Sequence, residues 1–153
     1  MNASADKPLA EDVASLTRFH LLVAWWSLLA FITLGVVLEG LHAWKVSDYL
    51  GRDAKVRRLM WTLSHAHGTL VALVHAAFAF TLHAMIPIVS ARIRLASRLI
   101  LAAGTLLPVG FFLGGVFVHE SDPGVGVWLV PLGAGCLILG VLLVSLETLR
   151  NVR

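Results

Sequence analysis

The chain has 153 residues, 58% hydrophobic and only 14% charged, with a mean hydropathy of +0.85 and a formal net charge of +3. Soluble domains carry about a quarter charged residues, so this composition excludes a water-solvated globule and leaves no room for a soluble enzyme domain beside several membrane spans. The small charge, set at the edges of apolar segments, speaks for membrane orientation and against nucleic-acid binding.

Residues 1–17 form a polar N-terminal tail with Asp6, Lys7, Glu11 and Asp12. The tail lacks the basic start and small-residue cleavage site of a secretory signal, so the first apolar segment is expected to be retained. Four apolar segments follow, at residues 19–44, 59–86, 99–118 and 125–146. Each reaches the ~20 residues that a bilayer helix requires. The expected fold is all-α: a single integral-membrane domain built as a four-helix transmembrane bundle.

The first span opens on His20 and closes on Glu39 and His42. A basic connection follows with Lys45, Arg52, Lys55, Arg57 and Arg58, expected to meet lipid headgroups. The second span contains no Asp, Glu, Lys or Arg between Leu59 and Ile86, yet it holds His65, His67, His75 and His83. Imidazoles at bilayer depth are costly unless they find partners. His65, Gly68, Ala72, Ala76, Ala79 and His83 recur at steps of three and four, which predicts one stripe facing the bundle interior. A connection with Arg92, Arg94 and Arg98 leads to the third span, which ends at His119 and Glu120. Pro123 and Gly124 make the next connection a turn. The fourth span sets Gly126, Gly133 and Gly140 at seven-residue steps, a spacing that suits a left-handed helix pair. Glu147 near its end is expected to pair with Arg150. The single Cys136 falls inside this span and reads as a packing residue.

Four spans place both termini on one side. Lys7, Arg18, Arg92, Arg94, Arg98, Arg150 and Arg153 share that side, against Lys45, Arg52, Lys55, Arg57 and Arg58 on the other. The positive-inside rule then predicts a bacterial inner-membrane protein with cytoplasmic termini.

Topology carries Glu39, His42, His65, His67, His119 and Glu120 toward the non-cytoplasmic face. Imidazole and carboxylate together suit zinc, copper or iron. The expected ligands are His42, His65 and His119, with Glu39 as a ligand or hydrogen-bond acceptor. His67 lies ~200° around the helix from His65, so the two do not easily serve one ion. His20 and His83 form a second level near the opposite face, either as interfacial anchors or as axial ligands of a b-type haem. His75, near mid-membrane, is expected to bond a neighbouring helix or to relay protons. The chain has no phosphate-binding glycine loop, no nucleophile elbow and no calcium loop, and no catalytic residue is assigned.

Four spans with interior histidines generically resemble small b-type cytochrome and respiratory-subunit folds. That resemblance implies a helical bundle and a redox association, and no residue role is carried over from it. Three functions are expected as alternatives: a metal- or haem-binding accessory subunit of a redox system, a structural or assembly partner in a membrane complex or homo-oligomer, or a proton or small-ion conductor using Glu39, His65 and His75.

Overall fold

The computed structural model describes residues 3–51, 54–119 and 122–151, with side chains from residue 12 onward. The elements are α1 (Ala3–Ala43), α2 (Ser47–Leu50), α3 (Lys55–Met85), α4 (Ala91–Val116), a 3-10 turn (Val125–Trp128) and α5 (Leu129–Asn151). Four stretches, Asp12–Ala43, Lys55–Met85, Ala91–Val116 and Val125–Asn151, are long and apolar enough to cross a bilayer. The protein is therefore an all-α, integral-membrane four-helix assembly. Among the described residues the only extended pairing is a bridge between His119 and Asp122.

The helix limits differ from the apolar limits for local reasons. α1 runs back through the polar residues before Phe19 as far as Ala3, past Pro8. It ends in a Schellman-type turn: the Lys45 amide donates to the His42 carbonyl and the Val46 amide to the Leu41 carbonyl, with Lys45 at φ 51°. α3 stops at Met85 because Pro87 pushes Ile86 into extended backbone. Ser90 then caps α4 by accepting from the Ile93 amide at 3.3 Å. α4 consequently begins at Ala91, two turns before the predicted residue 99, and Arg92, Arg94 and Arg98 sit on the helix rather than in a loop.

The helices form a row. α1 lies against α3, α3 against α4, and α4 against α5, while the described residues give no backbone contact between α1 and either α4 or α5. The outward faces of the two end helices, such as Trp25, Trp26 and Ile32 on α1 and Leu132, Ile138 and Leu142 on α5, are exposed. Lipid solvates them, since hydrocarbon is as apolar as leucine.

Small residues set both outer seams. Gly126, Gly133 and Gly140 all face α4; a Cβ on Gly133 would lie 2.9 Å from the Leu107 amide nitrogen, and one on Gly140 would lie 2.9 Å from Ile100 Cγ1. On the other seam the Phe31 ring of α1 sits directly on Gly68 of α3, and the His65 ring sits on Gly35, 2.5 Å from where its Cβ would be.

The basic connection also departs from expectation. Arg57 donates from Nε to the Gly115 carbonyl at 3.2 Å and from a terminal nitrogen to the Asp48 carbonyl at 3.0 Å. Arg58 donates to the Tyr49 carbonyl at 3.3 Å. Arg57 thus serves the otherwise unpaired carbonyls and negative dipole end of α4, a better partner than a mobile headgroup. Glu147 meets Arg92 at 3.8 Å instead of Arg150. The antiparallel seam brings the start of α4 beside the end of α5, and that contact takes the carboxylate.

Candidate functional site

Three of the buried polar side chains among the described residues lie together on three helices. His20 of α1 is 0% exposed, His75 of α3 is 2% and Ser97 of α4 is 5%. On α3 the buried series Gly68, Ala72, His75 and Ala79 turns one narrow face toward α1. On α4 the buried series Ile93, Ala96, Ser97, Ile100 and Ala103 faces α3. α1 reaches across this junction through His20. Its Nδ1 lies 2.7 Å from Nδ1 of His75, and its Nε2 lies 2.8 Å from Oγ of Ser97. The two imidazoles are offset-stacked at 4.9 Å and 29°, and the Phe78 ring meets His20 edge-on at 4.7 Å. The rings are therefore held by apolar walls and joined by hydrogen bonds.

The pairing of two Nδ1 atoms constrains the protons. One nitrogen must donate and the other accept, so a single proton occupies the bridge. If His20 donates, its neutral ring accepts from Ser97 at Nε2, and neutral His75 carries its proton on Nε2. If His75 donates, His20 carries its one proton on Nε2, toward Ser97, and Nε2 of His75 is bare. Both arrangements are uncharged. They differ by one proton shift along the array.

His20 is fully buried among α1, α3 and α4, so its ring is not a surface-exposed anchor. Both of its nitrogens are committed, which leaves neither for a haem iron. His83, its expected partner, is exposed and lines a separate cavity of about 430 Å³ with Thr17, Arg18 and Pro87. The interior stripe on α3 thus holds at Gly68, Ala72 and Ala79, while His83, about five whole turns beyond His65, is exposed.

At the far end, Glu39, His42 and His65 line one cavity of about 220 Å³ with Gly35, Tyr49 and Thr62. His65 donates from Nδ1 to the Phe31 carbonyl at 2.6 Å, which fixes its ring against α1. Tyr49 is held in α2 by stacking on Trp61 at 6.3 Å and 16°. The rest of the expected metal constellation does not converge there. His67 turns to α4, packs on Phe111 at 4.7 Å and donates back to the Leu63 carbonyl at 2.9 Å. His119 is exposed, and its backbone pairs with Asp122 in the turn after α4. Glu120 lies outside the described residues. Among the described residues no three His, Cys, Asp or Glu side chains are placed to hold a metal ion. α1 makes no backbone contact with α4 among the described residues, and the end of α4 does not line the α1–α3 cavity.

No family model matches the chain, and neither a curated protein nor a solved structure is significantly similar to it. The site therefore has to be read from its own residues. Sequence reasoning missed Ser97, which fell in an assumed loop. The signal was present in the apolar steps Ile93, Ala96, Ile100 and Ala103, which extend the third span backward and place Ser97 on its packed face.

Proposed function

We propose that this protein is a membrane subunit that conducts protons through its helix row along the chain Ser97, His20, His75. The observation that supports the reading is the bridge of two Nδ1 atoms at 2.7 Å, extended at one end by Ser97. In the arrangement with His75 donating, Nε2 of His75 takes a proton from its side of the membrane. The His75 Nδ1 proton passes to His20 Nδ1, and the His20 Nε2 proton passes to the Ser97 oxygen, whose own hydroxyl proton leaves. One N–H forms, one O–H proton departs, and neither ring is left with a net charge. Rotation of the hydroxyl and turning of both rings, which brings each N–H back to the exit side, reset the array without returning the proton. Neutral intermediates matter because a charged imidazole at this depth is costly.

The Thr17, Arg18 and His83 cavity lies toward the end where α1 begins, which the positive-inside rule assigns to the cytoplasm of a bacterial inner membrane. The Glu39, His42 and His65 cavity is the opposite mouth, its His65 about 15 Å along α3 from His75. The subunit would serve a redox or other ion-coupled membrane complex that supplies or consumes protons.

The test is reconstitution of the full chain in liposomes with an internal pH-sensitive dye and a potassium diffusion potential. Wild-type protein should acidify or alkalinise the lumen well above empty vesicles, and His20→Ala should lower that flux at least tenfold. Flux equal to empty vesicles, or a His20→Ala variant that conducts like wild type, overturns the proposal in favour of a packing role.

A further inference from the structure

The chain of imidazoles does not end at His75. Its Nδ1 faces His20, and its Nε2 faces a cavity of about 80 Å³ bounded by Val23, Ser27, Gly68, Ala72, Gly104 and Thr105. The cavity lies in the groove between α1 and α4, floored by the small residues of α3. Two glycines keep it open. A Cβ on Gly104 would stand 3.1 Å from Nε2 of His75, in the space that a hydrogen-bonding partner of that nitrogen must enter. Gly68, at the cavity wall, also admits the Phe31 ring.

We propose that this cavity binds water held by Nε2 of His75, and that the water is the next member of the proton chain. The transport part of this statement rests on the conduction reading above; the water site does not. Whichever ring carries the bridging proton, Nε2 of His75 is either an N–H donor or a bare acceptor, and among the described residues no side chain or carbonyl bonds it. The nitrogen opens on the cavity, where a molecule of solvent size can reach it, and a polar nitrogen between packed helices gains from a partner. Water satisfies both states, because it donates and accepts. Ser27 and Thr105 supply hydroxyls at the wall; Thr105 donates to the Leu101 carbonyl at 3.3 Å and keeps its lone pairs for a donor. Pro108 has no amide hydrogen, so the Gly104 carbonyl lacks the helical partner four residues on and is a further acceptor on the same turn. A water needs two to four polar partners and roughly 10–15 Å³ of such volume, so the cavity has room for more than one. A metal cation is disfavoured, since no carboxylate lines the space.

The test uses the full chain with nitrogen-15 histidine in lipid bilayers. Solid-state NMR should show magnetisation transfer from water to Nε2 of His75, the resonance being assigned by its loss in His75→Ala. Gly104→Ala should cut that transfer at least fivefold and the liposome proton flux about tenfold, while the coupling between the two Nδ1 sites persists as proof of folding. Should Gly104→Ala not fold, Thr105→Leu fills the same space from the outer side of α4 and should act likewise. Absence of water transfer in the wild type, or undiminished transfer in the filled variants, overturns the water site. Water transfer without wild-type flux leaves the site standing and sinks conduction. Loss of flux in His20→Ala with full flux in Gly104→Ala does the reverse.

Discussion

The two outer seams of this protein are built on the same residue type and used in opposite ways. Between α4 and α5, Gly126, Gly133 and Gly140 let backbone approach backbone, and every neighbour within reach of their missing Cβ atoms is apolar or main chain. Between α1 and α3, Gly35 and Gly68 admit rings: the imidazole of His65 and the phenyl of Phe31. Close approach in lipid gains dispersion and excludes lipid from the seam. The first seam uses the space for backbone contact, and the second uses it to seat the rings of His65 and Phe31. A small-residue stripe is therefore a sign of close packing and not of what is packed.

The largest effect should follow from disturbing the contact seam. In Gly133→Val the new Cβ would stand 2.9 Å from the Leu107 amide nitrogen and 3.0 Å from Leu106 Cβ. Backbone cannot swing aside as a side chain can, so the helices must separate. Overpacking of this kind costs about 3 kcal/mol, to be read as a lowered unfolding midpoint in detergent. The imidazole array lies on the other side of α4, and its Nδ1 coupling should survive. Loss of that coupling would mean that the two seams are one cooperative unit.

That contrast also explains what the sequence could reveal. The glycine register of the fourth span was legible because helical geometry projects a seven-residue repeat onto one face with no further information. The spans were legible because charge is absent from them. The His20, His75 and Ser97 junction was not, for two reasons. His20 stands at the edge of the apolar run, and nothing in the sequence says that its face of α1 is the one covered by α3 and α4. The start of α4 lies among arginines, so Ser97 was read as loop. The sequence marks the histidines as groups in need of partners, but partner choice depends on which helices adjoin. A row with α3 between α1 and α4 brings His20 to Ser97 and leaves His119 outside the α1–α3 cavity; a closed bundle would have done otherwise. Apolar patterning does not distinguish a row from a ring when lipid solvates every outer face equally.

A smaller effect tests whether the polar line holds the second seam together. His20→Leu or His75→Leu alone strands the partner nitrogen in apolar surroundings and should destabilise by about 2 kcal/mol. The double variant removes both ends of the bond and fills the space, so its loss should fall short of the sum by about 1 kcal/mol, within the range of interhelical hydrogen bonds in membranes. Equilibrium unfolding of all four proteins in bicelles provides the cycle. Additivity within ~0.3 kcal/mol would show that the imidazoles merely occupy the seam.

The smallest effect concerns the other link between α1 and α4. Arg94 meets Asp12 at 2.9 Å, with side chains 53% and 41% exposed. Short distance alone does not make such a pair strong: water and salt screen it, and ordering two long side chains opposes it, so exposed pairs contribute below ~1 kcal/mol. Arg94→Ala should therefore change stability by less than that, and raising the salt should leave the wild type equally unaffected. Because α1 makes no backbone contact with α4 among the described residues, only side chains span the gap, and His20 to Ser97 is the buried one. A loss above ~2 kcal/mol in Arg94→Ala would relocate the tie between these helices to the membrane surface. The buried array would then be a passenger of the fold, and the conduction measurements would be the sole argument for its presence.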